Sequence, residues 1–165
     1  MKGFFLSLLG VAVFIIFAGL LIRNLQKKTP ETALPKFQKS QIKINGIDIE
    51  VEIASTSEQR KMGLSKREGL YAYSGMLFKF EQNDVIPSFW MKDMKFAIDI
   101  LWINDGKIIK VDEKVPPPTD GTPDEKLKIF NPGKPVDYVL ELNSGFCERN
   151  SIKVGDAIEI HLENI

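Results

Sequence analysis

Between Ile42 and Ile53 apolar and polar positions take turns along the chain. Ile42, Ile44, Ile47, Ile49, Val51 and Ile53 are the apolar set, and Asp48, Glu50 and Glu52 stand between its later members. A period of two puts one set on each side of a strand. Asn45-Gly46 breaks the alternation with residues that accept positive φ, which predicts a β-hairpin closed by a tight turn. Ser55-Thr56-Ser57-Glu58-Gln59 then offers overlapping capping boxes, and Gly63 supplies a left-handed stop, so a short helix is predicted over 57–62. Strand-like patterns recur over 76–80, 89–91, 98–104, 107–115, 138–143 and 157–162. Asp105-Gly106 joins two of them, and a second short helix is predicted over 144–148. Between Val115 and Val136 stand Pro116, Pro117, Pro118, Pro123, Pro132 and Pro135, a run that removes too many backbone donors for the middle of a sheet and predicts a long loop. Loops beyond ~12–15 residues in compact domains are usually functional or disordered. Many short strands separated by turn residues predict a mainly β fold, a single β-sandwich or barrel-like domain of jelly-roll-like character with one or two short helices.

The pattern changes near the start of the chain. From Phe4 to Ile22 no side chain is charged and Phe, Leu, Ile, Val, Ala and Gly dominate, close to the ~20 apolar residues that cross a bilayer as a helix. Residues 1–28 therefore read as an N-terminal membrane anchor, or an uncleaved signal, with a basic flank. A cleaved signal fits less well, since its apolar stretch is normally ~7–15 residues and ends in small residues. Arg23, Lys27 and Lys28 after the span favour a cytoplasmic location for the remainder of the chain. The short N-terminal tail with Lys2 alone has instead the form of an exported chain, and our reading places the domain outside the membrane, in the periplasm or at the cell surface. Residues 29–40, with Pro30 and Pro35 and little periodicity, read as a tether. Residues 41–165 then form one domain.

Charge excludes one class of partner. Six of the 22 basic residues but one of the 22 acidic residues lie before residue 41, so the predicted domain is mildly acidic. It offers no basic stripe for phosphates, and no nucleic-acid partner is expected. One His and one Cys cannot build a multi-histidine metal site or a disulfide within the chain; His161 reads as a surface residue and Cys147 as a small buried hydrophobe. No phosphate-cradling loop occurs, because Gly63, Gly69 and Gly75 lack the dinucleotide spacing. No metal and no cofactor is expected.

Several motifs together carry a resemblance: Arg60-Lys61-Met62-Gly63-Leu64, Gly75-Met76-Leu77-Phe78-Lys79-Phe80, Ser88-Phe89-Trp90-Met91-Lys92-Asp93-Met94, Ile98-Asp99-Ile100-Leu101-Trp102-Ile103-Asn104 and Val139-Leu140-Glu141-Leu142-Asn143-Ser144-Gly145. In this order and spacing the chain resembles, from about Val51 to Ile160, the bacterial and archaeal family known as domain of unknown function 192. The resemblance implies a mainly β sandwich and no settled activity. The family usually reads Lys-Asn-Thr, an apolar residue, then Pro-Leu-Asp, where this chain has Lys92-Asp93-Met94-Lys95-Phe96-Ala97-Ile98-Asp99; the Thr and Pro are absent, while Trp90, Lys92 and Asp99 keep matching positions.

Candidate site residues are the polar ones set inside apolar patterns. Asp99 shares a strand face with Ala97, Leu101 and Ile103, and Glu141 with Val139. A buried carboxylate is costly unless paired, so each predicts a partner, and Arg60 and Lys92 are the basic residues of the matched motifs. The forked guanidinium of Arg60 suits a fixed pair with Asp99 or Glu141, which leaves Lys92 to face a ligand beside Trp90. The competing expectation is that these pairs only tie helix to sheet. From these residues the leading expectation is a noncatalytic module that binds a small ligand or an envelope partner in a cleft lined by Arg60, Trp90, Lys92, Asp99 and Glu141. The alternative is a carboxylate-dependent hydrolase, acting on glycosides, with Asp99 and Glu141 as acid and base at ~5–9.5 Å. A third is an assembly protein that recruits a chain along an open sheet edge, a role against which the charges of Asp48, Glu50 and Glu52 argue for the first hairpin.

Overall fold

The structure is a computed structural model that describes residues 35–162. Its main sheet holds seven strands: β1 (Gln38–Ile44), β2 (Ile47–Ala54), β3 (Ser74–Lys79), β5 (Ile98–Asn104), β6 (Lys107–Val115), β8 (Tyr138–Asn143) and β9 (Ile158–Ile160). Their spatial order is β6-β5-β8-β3-β2-β1-β9, and β4 (Phe89–Trp90) with β7 (Ile129–Phe130) forms a separate two-stranded ribbon. The hairpin turn at Asn45-Gly46 and the turn at Asp105-Gly106 fall where the sequence places them, and all four residues have positive φ.

Helix α1 (Ser57–Met62) carries the crossover from β2 to β3, the one parallel pair in the sheet. Its capping box is complete: Thr56 Oγ1 accepts from the Gln59 amide at 3.1 Å, while Gln59 Oε1 accepts from the Thr56 amide at 2.9 Å. Helix α2 (Phe146–Arg149) follows β8. The sheet curls into an incomplete barrel whose two edges touch at one end. There the Ile108 amide donates to the Asp156 carbonyl at 3.0 Å, Gly155 donates to Ile108 at 2.8 Å, and Ile158 donates to Gly106 at 2.9 Å.

Both faces of this sheet are buried. The inner, concave face packs Ile44, Ile49, Val51, Leu101, Leu140 and Phe146 with their neighbours, and the outer face packs Met76, Phe78, Ile100, Trp102, Val115 and Val139 beneath the ribbon and loops. Gly75 is the point of closest approach in the middle of the sheet. A Cβ there would stand 2.5 Å from the Glu141 carbonyl oxygen and 2.7 Å from Leu142 Cδ2, so no larger residue fits without moving β8.

Three expectations change. The expected mainly β, barrel-like form holds as one curled, open sheet, but the two-sheet jelly-roll sandwich is not formed, because the α1 crossover inserts β3 beside β2 and nearly all strand residues enter that sheet. The fold also begins before Gln41: Gln38, Lys39 and Ser40 pair with Ile53, Glu52 and Val51, and Phe37 packs on the outer core. Polar strand residues held by the ladder leave no hydrophobic signature. Within the proline-rich run, Ile129-Phe130 lies between Pro123 and Pro132, free of ring-locked residues, and pairs with Phe89-Trp90 as β7. The predicted span Phe4–Ile22 lies outside the described residues, as does the tether before Pro35. Among the described residues no helix is long and apolar enough to cross a membrane.

Candidate functional site

The β4–β7 ribbon leads into the turn that forms one wall of the candidate site. Phe89 turns inward and meets Phe78 and Trp102 edge-on, with ring centroids 4.8 and 5.6 Å away. Alternation then sends Trp90 outward, 44% exposed, opposite the half-exposed Ile129 on β7. After Trp90 the chain makes a turn anchored at both ends in the outer core by Met91 and Met94, with the Met94 amide donating to the Met91 carbonyl at 3.1 Å. Asp93 holds the turn at φ 57°, a conformation that Asp and Asn tolerate better than most side chains. The turn therefore forms without the family's Thr and Pro. Its outer side is tied to the loop after α1: Ser65 Oγ donates to the Lys92 carbonyl at 2.9 Å, and the Lys66 amide to the Asp93 carbonyl at 2.8 Å.

The facing wall is the proline-rich strap between β6 and β7. Thr119–Thr122 folds back on itself, with the Thr122 amide and hydroxyl both donating to the Thr119 carbonyl, and a 3₁₀ turn follows at Asp124–Lys126. Asp124 at its start pairs with the Lys92 ammonium, so one ion pair clasps the two walls. The cleft between them has a volume of about 320 Å3 and is lined by Lys66, Lys92, Asp93, Asp120, Thr119 and Thr122 among others. Lys92 Nζ also lies 5.6 Å from the centre of the Trp90 ring, within cation–π range, which joins the exposed aromatic to the polar cleft. Asp124 raises the Lys92 pKa through its hydrogen bond, so this side chain stays cationic across the physiological range.

The five predicted site residues do not converge. Lys92 lines the cleft and Trp90 stands beside it, its ring 5.6 Å from the Lys92 ammonium. Arg60 lies elsewhere, spent on the carbonyls of Ser55 at 2.5 Å and Lys79 at 3.0 Å and on Glu81 at 3.6 Å, where it fixes α1 to the ends of β2 and β3. Asp99 is fully buried on the inner face. Its Oδ1 accepts from the Lys114 and Gly145 amides at 2.8 and 3.0 Å, and its Oδ2 accepts from the Cys147 amide at 3.0 Å. The partners predicted for it were basic side chains, yet backbone N–H groups around the start of α2 serve instead, as a cap supplied from a distant strand. Burial together with the Asp99 charge pushes the Cys147 thiol well above the ordinary thiol range.

Glu141 lies on the opposite face. The register pairs Ile100, not Asp99, with Glu141, and Met76 flanks it on the other side. One row of the outer face reads Glu52, Met76, Glu141, Ile100, Asp112. Glu52 is held bidentately by Arg67 at 2.7 and 2.7 Å, and Asp112 takes Lys110 at 2.8 Å and the Trp102 indole N–H at 2.7 Å. Glu141, 6% exposed between two apolar neighbours, forms no hydrogen bond among the described residues. Burial drives its pKa up to about 8, against a weaker opposing pull from Arg67. The sequence reading missed Arg67, which lies just beyond the motif that drew attention to Arg60. It also missed Lys66, whose place at the cleft depends on a left-handed backbone at φ 64° that no local pattern announces.

The profile of the family described as uncharacterized ACR, domain of unknown function 192, matches residues 40–160. The chain belongs to that family. Two solved members of the same fold are similar to this family member over most of both chains. One, named as a candidate transcription regulator from Sinorhizobium meliloti 1021, shares 30% identity over 76% of this chain and 95% of its own, with a TM-score of 0.67. The other, a protein of unknown function from Novosphingobium aromaticivorans DSM 12444, shares 26% identity over 79% of this chain and 89% of its own, with a TM-score of 0.65. No curated protein matches the chain.

Proposed function

We propose that this family member is a noncatalytic binding module, tethered to the membrane by Phe4–Ile22 with its domain outside, which takes a small amphipathic ligand at the Trp90–Lys92 cleft. One observation carries the reading: Lys92 belongs at once to the exposed Trp90 ring and to a cleft of mixed charges and hydroxyls. A flat apolar surface beside fixed hydrogen-bonding groups suits a saccharide or another ligand with one apolar and one polar side. The membrane-tethered part of the reading is supported by the length and apolarity of Phe4–Ile22.

Asp99 and Glu141 do not support the hydrolase alternative, because they face opposite sides of one sheet and no single substrate reaches both. The name of the Sinorhizobium meliloti protein does not transfer easily either, since the chain beyond residue 40 carries more acidic than basic residues.

The test is fluorescence titration of the full-length chain in detergent with a panel of neutral and acidic oligosaccharides. Trp102 is buried and bonded to Asp112, so an emission change on binding should come from Trp90 and vanish in Trp90→Phe. Saturable binding, read by calorimetry, that survives both Trp90→Phe and Lys92→Ala would move the site elsewhere, and silence across the panel would remove the saccharide class.

A further inference from the structure

The strap that walls the first cleft also faces a second groove, on the side toward β6, of about 470 Å3. Five successive residues of β6, Val111 through Val115, line it. Successive strand residues point to opposite faces, so Val111, Asp112 and Glu113 together at one groove put a backbone edge there, while Lys114, at φ 52°, carries the run on to Val115 through a bulge. That edge is open. β5 pairs with one side of β6, and the opposite side is engaged only near its start, where Ile108 meets Gly155 and Asp156. From Lys110 to Glu113 no second strand is paired to it among the described residues. The far wall carries Met91, Pro117, Leu127 and Phe130, with Thr119 and Lys128 among them, the Lys128 ammonium lying 4.7 Å from the centre of the Phe130 ring.

We propose that this groove takes a short extended peptide from another protein, added to the sheet as a strand beside β6. Main-chain pairing would supply the common affinity and the wall would receive alternate apolar side chains. Charge selects among such peptides. Lys110 is paired with Asp112 and Lys114 with Glu148, both at 2.8 Å, while Glu113 forms no ion pair or hydrogen bond among the described residues. The peptide therefore carries a basic residue where it passes Glu113. Its length is bounded as well. Register shifts interrupt the β5–β6 pairing opposite both Ile98–Ile100 and Trp102–Ile103, and Lys114 has φ 52°, so the regular edge spans Lys110 to Asp112, with Glu113 at the start of the bulge, and a longer flat strand finds no continuation. The strap standing beside the edge disfavours a second copy of this chain, whose own strap would have to occupy the same space. This site meets the Trp90–Lys92 cleft at Pro118, Thr119 and Leu127 but does not depend on a ligand there.

The probe is the capped pentapeptide Val-Lys-Val-Thr-Val, fluorescein-labelled and titrated by anisotropy against the full-length chain in detergent. Two further forms are N-methylated on one or the other alternate set of amides. A strand in a ladder uses only one set, so one methylated form should bind like the parent and the other at least about tenfold more weakly. Glu113→Gln should weaken the parent but leave a Val-Thr-Val-Thr-Val control unchanged. Equal binding of the two methylated forms overturns strand addition, and so does an absence of saturable binding up to ~1 mM. Sedimentation of the chain as a dimer that the peptide dissociates would assign the edge to a second copy instead.

Discussion

Asp99 and Glu141 are two buried acids on neighbouring strands, a single register step apart, and the protein treats them in opposite ways. On the inner face Asp99 meets three backbone amides and the Cys147 thiol, so its polar atoms are engaged by groups that themselves need an acceptor. On the outer face Glu141 meets Met76 and Ile100. The difference teaches that burial alone does not distinguish a structural carboxylate from an adverse one; the number of fixed donors does. Asp99 ties together the β6 bulge, the end of β8 and the start of α2. Glu141 occupies a site where its uncharged form is the one the fold accepts.

The sharpest way to break the comparison is Asp99→Ala, which strands three N–H groups, those of Gly145 and Cys147 buried and that of Lys114 part-buried. We expect a loss of about 4 kcal/mol, a large part of the ~5–15 kcal/mol typical of a whole domain, measured by urea unfolding. A loss below ~1 kcal/mol would mean that the amides find other acceptors.

Glu141→Gln should do the reverse. The folded-state pKa lies near 8, above the ordinary 4.5, so the unfolded chain releases its proton first as pH rises, and the wild type loses stability between about pH 4.5 and 8. The variant lacks that loss. Its advantage should be negligible at pH 4 and grow to about 3 kcal/mol by pH 8. An advantage that does not change with pH would contradict the assignment.

Arg67→Met sharpens the same side of the comparison at smaller scale. Glu52 loses its bidentate partner, and because both side chains are part-exposed the cost should be about 1 kcal/mol. The same change removes the one cation that pulls the Glu141 pKa down, so carboxyl titration by NMR should find it higher still. The smallest effect belongs to the cleft: Lys92→Ala breaks an exposed ion pair and should leave the midpoint of thermal unfolding nearly unchanged. A larger effect would make the Lys92–Asp124 clasp part of the scaffold.

Parity along β5 and β8 marked Asp99 and Glu141 as buried, and both are. It did not tell that they face apart, because parity is relative within a strand and only the pairing of Ile100 with Glu141 relates the two. In many sheets a polar face would settle the matter, but here both faces carry a core, so hydrophobicity gives no direction. The hairpin, the capped helix and the strands β5, β6 and β8 were legible because turn chemistry, capping and alternation are local. β7 is short and β1 starts on polar residues, so long-range pairing and not composition determines them, whereas β9 falls inside the strand expected over 157–162. Trp90 and Lys92 were legible as neighbours by their spacing; the strap that meets them was visible as a proline run but not as a wall.

The seam between the two ends of the sheet rests on a handful of backbone bonds around Gly106, Ile108, Gly155 and Ile158. The last strand thus masks Ile42–Ile44 of β1 and meets β6 at its start. A chain that stops before Gly155 would expose both flanks at once, including the apolar Ile42 and Ile44, and such unpaired flanks invite polymerisation. Loss of the segment from Gly155 to Leu162 should therefore appear first as precipitation.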